Sequence, residues 1–162
     1  MKTLLRTLLY LSLIVWIGAE IFFPIVAAIT FNTLRPDTHL AGTIVGQLLR
    51  ILHGMGLVAG IVALAVLALA PAWRIYKPRT VLAPMVLLIL MIGGTVYSQY
   101  GIIPAMERER KAAGGAIDTT GITNPTTAHF NKLHQRSVVV EESVLLLGLG
   151  TVVLVAWAEG RS

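Results

Sequence analysis

Six side chains place ionisable or hydroxyl chemistry inside or beside strongly apolar stretches: Glu20, Arg50, His53, His134, Ser137 and Glu141. Ionisable groups are costly in a membrane, so each such residue is a functional candidate by default. Arg50 and His53 are three apart and share a helix face. His134, Ser137 and Glu141 fall at i, i+3 and i+7, again on one face, and Glu142 points about 100° away from Glu141. Together these groups suit a ligand- or ion-binding site. Imidazole and carboxylate suit Zn, Cu or Fe, so His53, His134 and Glu141, with Glu20 as a further carboxylate, are candidate metal ligands. The two histidines are also candidate axial ligands of a haem between facing helices, although neither sits in a His-x-x-x-His spacing. His39 and His129 read as solvated loop or interface residues. No cofactor beyond these two possibilities, metal ion or haem, is implied.

Two plainer readings compete with a site. Glu20 and Glu141 can pair with Arg50, which would hold helices in register, and removing one partner of such a pair costs several kcal/mol. Some of these long side chains can instead reach the membrane interface. An intramembrane enzyme is the least supported reading. The sequence carries no Gly-x-Ser-x-Gly, His-Glu-x-x-His or paired-Asp signature and no cysteine nucleophile, so no catalytic activity is expected.

The elements that must position these residues follow from composition. Of 162 residues 56% are hydrophobic and 13% charged, against about 25% charged residues in soluble domains. The mean hydropathy is +0.78. That excludes a disordered tail, a nucleic-acid-binding domain and most soluble enzymes. Four stretches are apolar enough to cross about 30 Å of hydrocarbon as helices: about 7–31, 43–70, 80–106 and 137–158. None alternates as a barrel strand would. The expected fold class is therefore all-α: one integral membrane domain over residues 1–162, an up-down four-helix bundle. Lys2 and Arg6 before a Leu-rich run resemble a signal peptide, but the apolar run resumes with Ile21, Phe22 and Phe23, and a retained helix is expected.

The formal charge is +5. Its basic residues are scattered rather than striped, so lipid headgroups rather than nucleic acid are the expected partner. Lys2, Arg6, Arg74, Lys77 and Arg79 gather at one end of the bundle. The positive-inside rule then puts both termini in the cytoplasm. The composition, rich in Leu, Val, Ala and Gly, suits a bacterial inner membrane. The connector 107–136 would lie outside, despite Arg108, Arg110, Lys111, Lys132 and Arg136, which are interleaved with acids. Glu107 to Ala113 is expected to prolong the third helix into water. Gly114 to Thr123 reads as a flexible loop, and Asn124-Pro125 as a helix start. A helix from Pro125 to Ala158 would be about 50 Å long, so its first turns stand outside the bilayer core. In this arrangement Glu20, Gln47, Arg50, His53, Gln99, His134 and Glu141 share the outer half of the bundle. Gly42-x-x-x-Gly46, Gly56-x-x-x-Gly60, Gly148 and Gly150 predict close helix packing. Pro24 predicts a kink just after Glu20.

Two stretches carry a family resemblance. The first is Trp16-x-Gly18-x-x-Phe22-Phe23, Phe31-x-x-Leu34, Ala41-Gly42 and Gly46; the second is Phe130-x-x-Leu133-His134-x-x-Ser137. With Pro104-x-Met106, Arg108 and Arg110, they resemble the transmembrane protein 205-like family, also catalogued as domain of unknown function 4149. The resemblance implies a four-helix membrane domain and no established reaction. It supports His134 and Ser137 as site residues. Relatives usually carry Asn where this chain has Glu141, so a salt bridge to Arg50 or cation binding would be particular to this member. The expected role is a multi-pass membrane protein whose outer polar cluster binds a small ligand or metal ion, in transport or metal handling. Four helices are few for a transporter, so a homo-oligomer or a partner membrane protein is expected with it. The alternative is an accessory subunit whose buried charges serve helix registry alone.

Overall fold

The computed structural model describes residues 1–113 and 125–161. The expected loop 114–123 and the helix-capping Asn124 lie outside them. Helix α1 spans Lys2–Thr33, α2 Thr38–Leu69, α3 Pro78–Tyr97, α4 Ile103–Ala112 and α5 Pro125–Glu159. A π-helical turn, Ser98–Ile102, joins α3 to α4, so Pro78–Ala112 is one continuous rod of 35 residues. All four rods are long and apolar enough to cross a membrane. The described residues form an all-α membrane bundle, as composition required.

Local chemistry accounts for the helix ends. The Asp37 carboxylate accepts a hydrogen bond from Leu40 N–H at 2.8 Å and caps α2. Pro78 stands in the first turn of α3, where its missing N–H costs nothing. Between α2 and α3 the chain turns at Arg74, which has φ 53°. The third and fourth rods extend beyond the predicted spans 80–106 and 137–158, because their polar ends continue the helix rather than stopping it. Helix α1 is helical through Pro24.

Helix α1 packs on α2, α2 on α3, and α3 on α5. The core runs through Leu13, Trp16, Ala63, Leu67, Leu88, Met91, Val144 and Val155. Ile14, Phe22, Ile51, Val58, Leu82, Leu146 and Val153 face outward instead. A soluble protein rarely shows so much contiguous apolar surface; it is the surface that lipid covers.

The glycines of α2 divide by function. A Cβ on Gly56 or Gly60 would come within 2.4 Å of the Trp16 ring, so the second Gly-x-x-x-Gly pair receives an indole from α1. On α5, Gly148 packs against Ile17 and Met91. Gly46 has nothing within 4 Å of a built Cβ and faces open space.

At the end carrying both termini, Arg6 and Tyr10 of α1 meet Glu159 of α5. Arg6 Nε lies 3.4 Å from Glu159 Oε1, and Tyr10 Oη donates to the same carboxylate. The Arg6 guanidinium lies 5.9 Å from the Tyr76 ring centroid, and Lys2 Nζ donates to Arg74 O. Burial and the Glu159 charge push the Tyr76 phenol above its ordinary range. This clasp closes α1 on α5. Contact continues to Ile17 and Gly148; farther from the termini the space between the helices is open.

Gly56→Ala would drive a methyl group into the Trp16 ring, and overpacking of this kind costs about 1–3 kcal/mol. Thermal unfolding of the detergent-solubilised variant is expected to show that loss. Gly46→Ala should unfold no earlier than wild type.

Candidate functional site

The open half of the bundle holds a cavity of about 710 Å³. Its walls come from the second half of α1 (Phe23, Ala27, Phe31), the first half of α2 (Gly42, Gly46, Leu49), α4 (Ile103, Met106, Arg110) and α5 (Phe130, Val138, Leu145). Glu20, Ser137 and Glu141 line it too, as do Arg50 and His134. Five of the six candidate residues therefore border one space.

The sixth, His53, is 0% exposed and forms the polar knot of the bundle. Its Nδ1 pairs with Gln99 Oε1 at 3.0 Å and its Nε2 with Glu141 Oε1 at 2.9 Å. Ser98 Oγ donates to the same Glu141 oxygen at 2.8 Å. Adjacent residues on a helix diverge by about 100°, and α3 lies against both α2 and α5. Gln99 can thus serve α2 while Ser98 serves α5. The π-helical turn begins at these two residues. Pro104 has no N–H for the Tyr100 carbonyl, and the wider turn is closed by Ile103 N–H on Ser98 O. Such π-turns often mark functional positions. Ser98 is absent from the sequence-derived set; a serine next to Gln99 in an apolar helix, just before Gly101 and Pro104, is the signal that could have found it.

Glu20 differs from Glu141. It is 4% exposed, and its Oε1 has no hydrogen-bond partner among the described residues. It lies near enough to His53 and Glu141 for their charges to act on it. Glu141 Oε2 is likewise buried and without a partner there. Trp16, one turn before Glu20, is buried with its indole near the Glu20 carboxylate, although its N–H meets no acceptor at hydrogen-bond geometry among the described residues.

Two expectations need correction. The anticipated pairing of Arg50 with Glu20 and Glu141 is absent among the described residues; Arg50 is exposed, and His53 takes its place beside Glu141. The three-residue spacing places Arg50 one turn nearer the cavity mouth, where a long cation reaches outward rather than to the floor. The proposed metal set, His53, His134 and Glu141, also does not converge. His134 is exposed and stacks on Phe130, with ring centroids 6.5 Å apart. It lies seven residues, about 10 Å of helix, from Glu141. Among the described residues no three His, Asp or Glu side chains are grouped to hold a metal ion.

At the mouth, Arg110 spans the helices. Its Nη2 lies 3.1 Å from a Cβ built on Gly42, its guanidinium sits 5.8 Å from the Phe130 ring centroid, and Glu107 is 3.7 Å away. The first glycine pair of α2 thus admits an arginine. His129, exposed as expected, pairs with Glu109 at 2.7 Å and ties α5 to α4. His39 is exposed beside the same opening.

Residues 11–114 match the model of a family described as domain of unknown function DUF4149. The chain belongs to this family. The match takes in α1 from residue 11 onward, α2, α3 and α4, and with them Glu20, Arg50, His53, Ser98 and Gln99. It includes the first of the two stretches that carried the resemblance, whereas Phe130 to Ser137 lies beyond it. The DUF4149 description assigns no activity and does not carry the transmembrane protein 205-like label. Neither a curated protein nor a solved structure matches the chain.

The geometry separates the two arginine- and histidine-based readings. Glu141→Ala would leave His53 buried without its carboxylate, a loss of about 3–5 kcal/mol. Arg50→Ala, at an exposed position, should change stability by no more than about 0.5 kcal/mol. Chemical unfolding of both variants in the same detergent checks the pair. Equal losses would restore Arg50 to the network.

Proposed function

We propose that this DUF4149 protein is a small-ligand-binding membrane protein whose site is the cavity between α1, α2, α4 and α5. One observation carries the reading: Glu20, 96% buried by area, lines an open cavity of about 710 Å³, and its Oε1 has no hydrogen-bond partner among the described residues. A carboxylate that served registry alone would be expected to hold a partner, as Glu141 does. The volume lies in the range of sites for drug-sized molecules, about 300–1,000 Å³. Mostly apolar walls with a few convergent polar groups suit an amphipathic ligand better than a bare metal ion.

The role we infer is a carrier or receptor rather than an enzyme. Transport through it would require further subunits, either copies of this chain or a partner membrane protein. The accessory-subunit reading retains a basis in the knot of His53, Gln99, Ser98 and Glu141, which explains registry without a ligand. We place the protein in a bacterial inner membrane, with both termini and the 70–77 turn cytoplasmic and the cavity mouth outside. The support is the cluster Lys2, Arg6, Arg74, Lys77, Arg79 and Arg161 at the terminal end, beside short connections.

Gly46 faces open space in the cavity wall, so Gly46→Phe should plug the cavity without a clash. Thermal shifts of wild type and Gly46→Phe with hexylammonium, hexanol and hexanoate test the reading. At least one probe is expected to stabilise wild type, and none the plugged variant. Equal shifts in both proteins, or none in either, would sink it. Because the chain has no cysteine, Lys77→Cys and Lys111→Cys report orientation with an impermeant maleimide on intact cells. Labelling of Lys111→Cys alone is expected; labelling of Lys77→Cys alone would invert the topology.

A further inference from the structure

The cavity has a chemical polarity. At its floor are two carboxylates, each with a buried oxygen lacking a partner among the described residues: Glu20 Oε1 and Glu141 Oε2. Glu141 shares its other oxygen with His53 and Ser98, so its charge is offset. Glu20 Oε1 has no hydrogen-bonded partner of this kind among the described residues. Above the floor come Phe23 and Ile103, then Phe31 and Phe130 toward the mouth. From His53 to Gly42 the helix rises about 16 Å, which measures the distance from polar floor to the Arg110 bridge.

Building on the ligand-binding reading above, we propose that the cavity takes an amphipathic primary amine, its ammonium on Glu20 and Glu141 and its apolar body along the phenylalanine-lined wall. An ammonium offers three N–H donors and no acceptor, which matches two carboxylate oxygens that lack a partner among the described residues. Hydrogen bonds between ions are about twice as strong as neutral ones, and a buried carboxylate left unpaired is costly. A free acid or phosphate would meet like charge at the floor. A metal ion would need a third protein ligand, and none is grouped there among the described residues. A quaternary ammonium would fit the apolar wall but has no N–H to give either carboxylate. The aromatic rings add an attractive face toward any cation that passes them.

The probe set above distinguishes this inference from the reading it rests on. Tryptophan emission supplies the binding curve. Trp16 lies one turn from Glu20, whereas Trp73 and Trp157 belong to the terminal end. Trp73→Phe combined with Trp157→Phe therefore leaves a reporter at the floor. Hexylammonium is expected to bind this protein more tightly than hexanol or hexyltrimethylammonium, with hexanoate weakest. Glu20→Gln should weaken hexylammonium by about tenfold or more and leave hexanol unchanged. Glu20→Asp should retain part of the ammonium preference, which guards against a folding defect in the amide variant. If hexanol or hexanoate binds wild type as tightly as hexylammonium and Gly46→Phe abolishes it, the cavity reading stands and the amine proposal falls. Hexylammonium affinity unaltered by Glu20→Gln also overturns the proposal, since Glu20 would then hold a proton or water instead of ligand. If no probe binds, both fall together.

Discussion

A single imidazole ties three of the four membrane rods together. His53 on α2 meets Gln99 on the α3 rod and Glu141 on α5, and Ser98 donates to the same Glu141 oxygen. In lipid the hydrophobic effect gives no preference for one helix face over another, because tails are as apolar as leucine. Specific association then depends on close packing and on polar groups that have nowhere else to go. The knot fixes the depth at which α2, α3 and α5 meet. The indole of Trp16 in the Gly56–Gly60 groove does the same for α1 on α2.

The cavity follows from where these constraints stop. On the terminal side of the knot the bundle is closed, by the Trp16 groove, by Ile17 on Gly148 and by the Glu159 clasp. On the other side α1 and α5 border an open space. Gly46 leaves part of that space empty, while Gly42 lets Arg110 lie across its mouth. Glu20 stands at the boundary, deep enough to be buried and positioned to face the opening.

Much of the architecture was legible before the structure. Uncharged runs long enough to span a bilayer can be read directly, since each helix satisfies its own backbone in lipid whatever its neighbours do. Glu107 to Ala112 prolongs the third rod as expected, and Pro125 begins the fourth. Glu20, Ser137 and Glu141 were recognisable as polar residues that had to converge, and they do border one space. Pairing was harder to read. Arg50 is the more obvious counter-ion for two glutamates, yet it lies one turn nearer the cavity mouth, exposed, and the histidine one turn deeper meets Glu141. His134 lies on the Ser137–Glu141 face by spacing but too far along it to share their contacts. Ser98 depends on a π-turn whose wider closure no periodicity of 3.6 residues anticipates.

The amino-acid sequence alone determined that this chain spans a membrane with four helices and that its few buried charges gather in one half. Both follow from transfer free energy, which each segment incurs independently of its neighbours. The tertiary structure decided which charges meet. It gave Glu141 to His53, released Arg50, left Glu20 facing an open cavity, and separated the two histidines. Those outcomes hang on rotations and offsets between helices, a few ångströms each, and such distances are set by packing between segments rather than by composition within them.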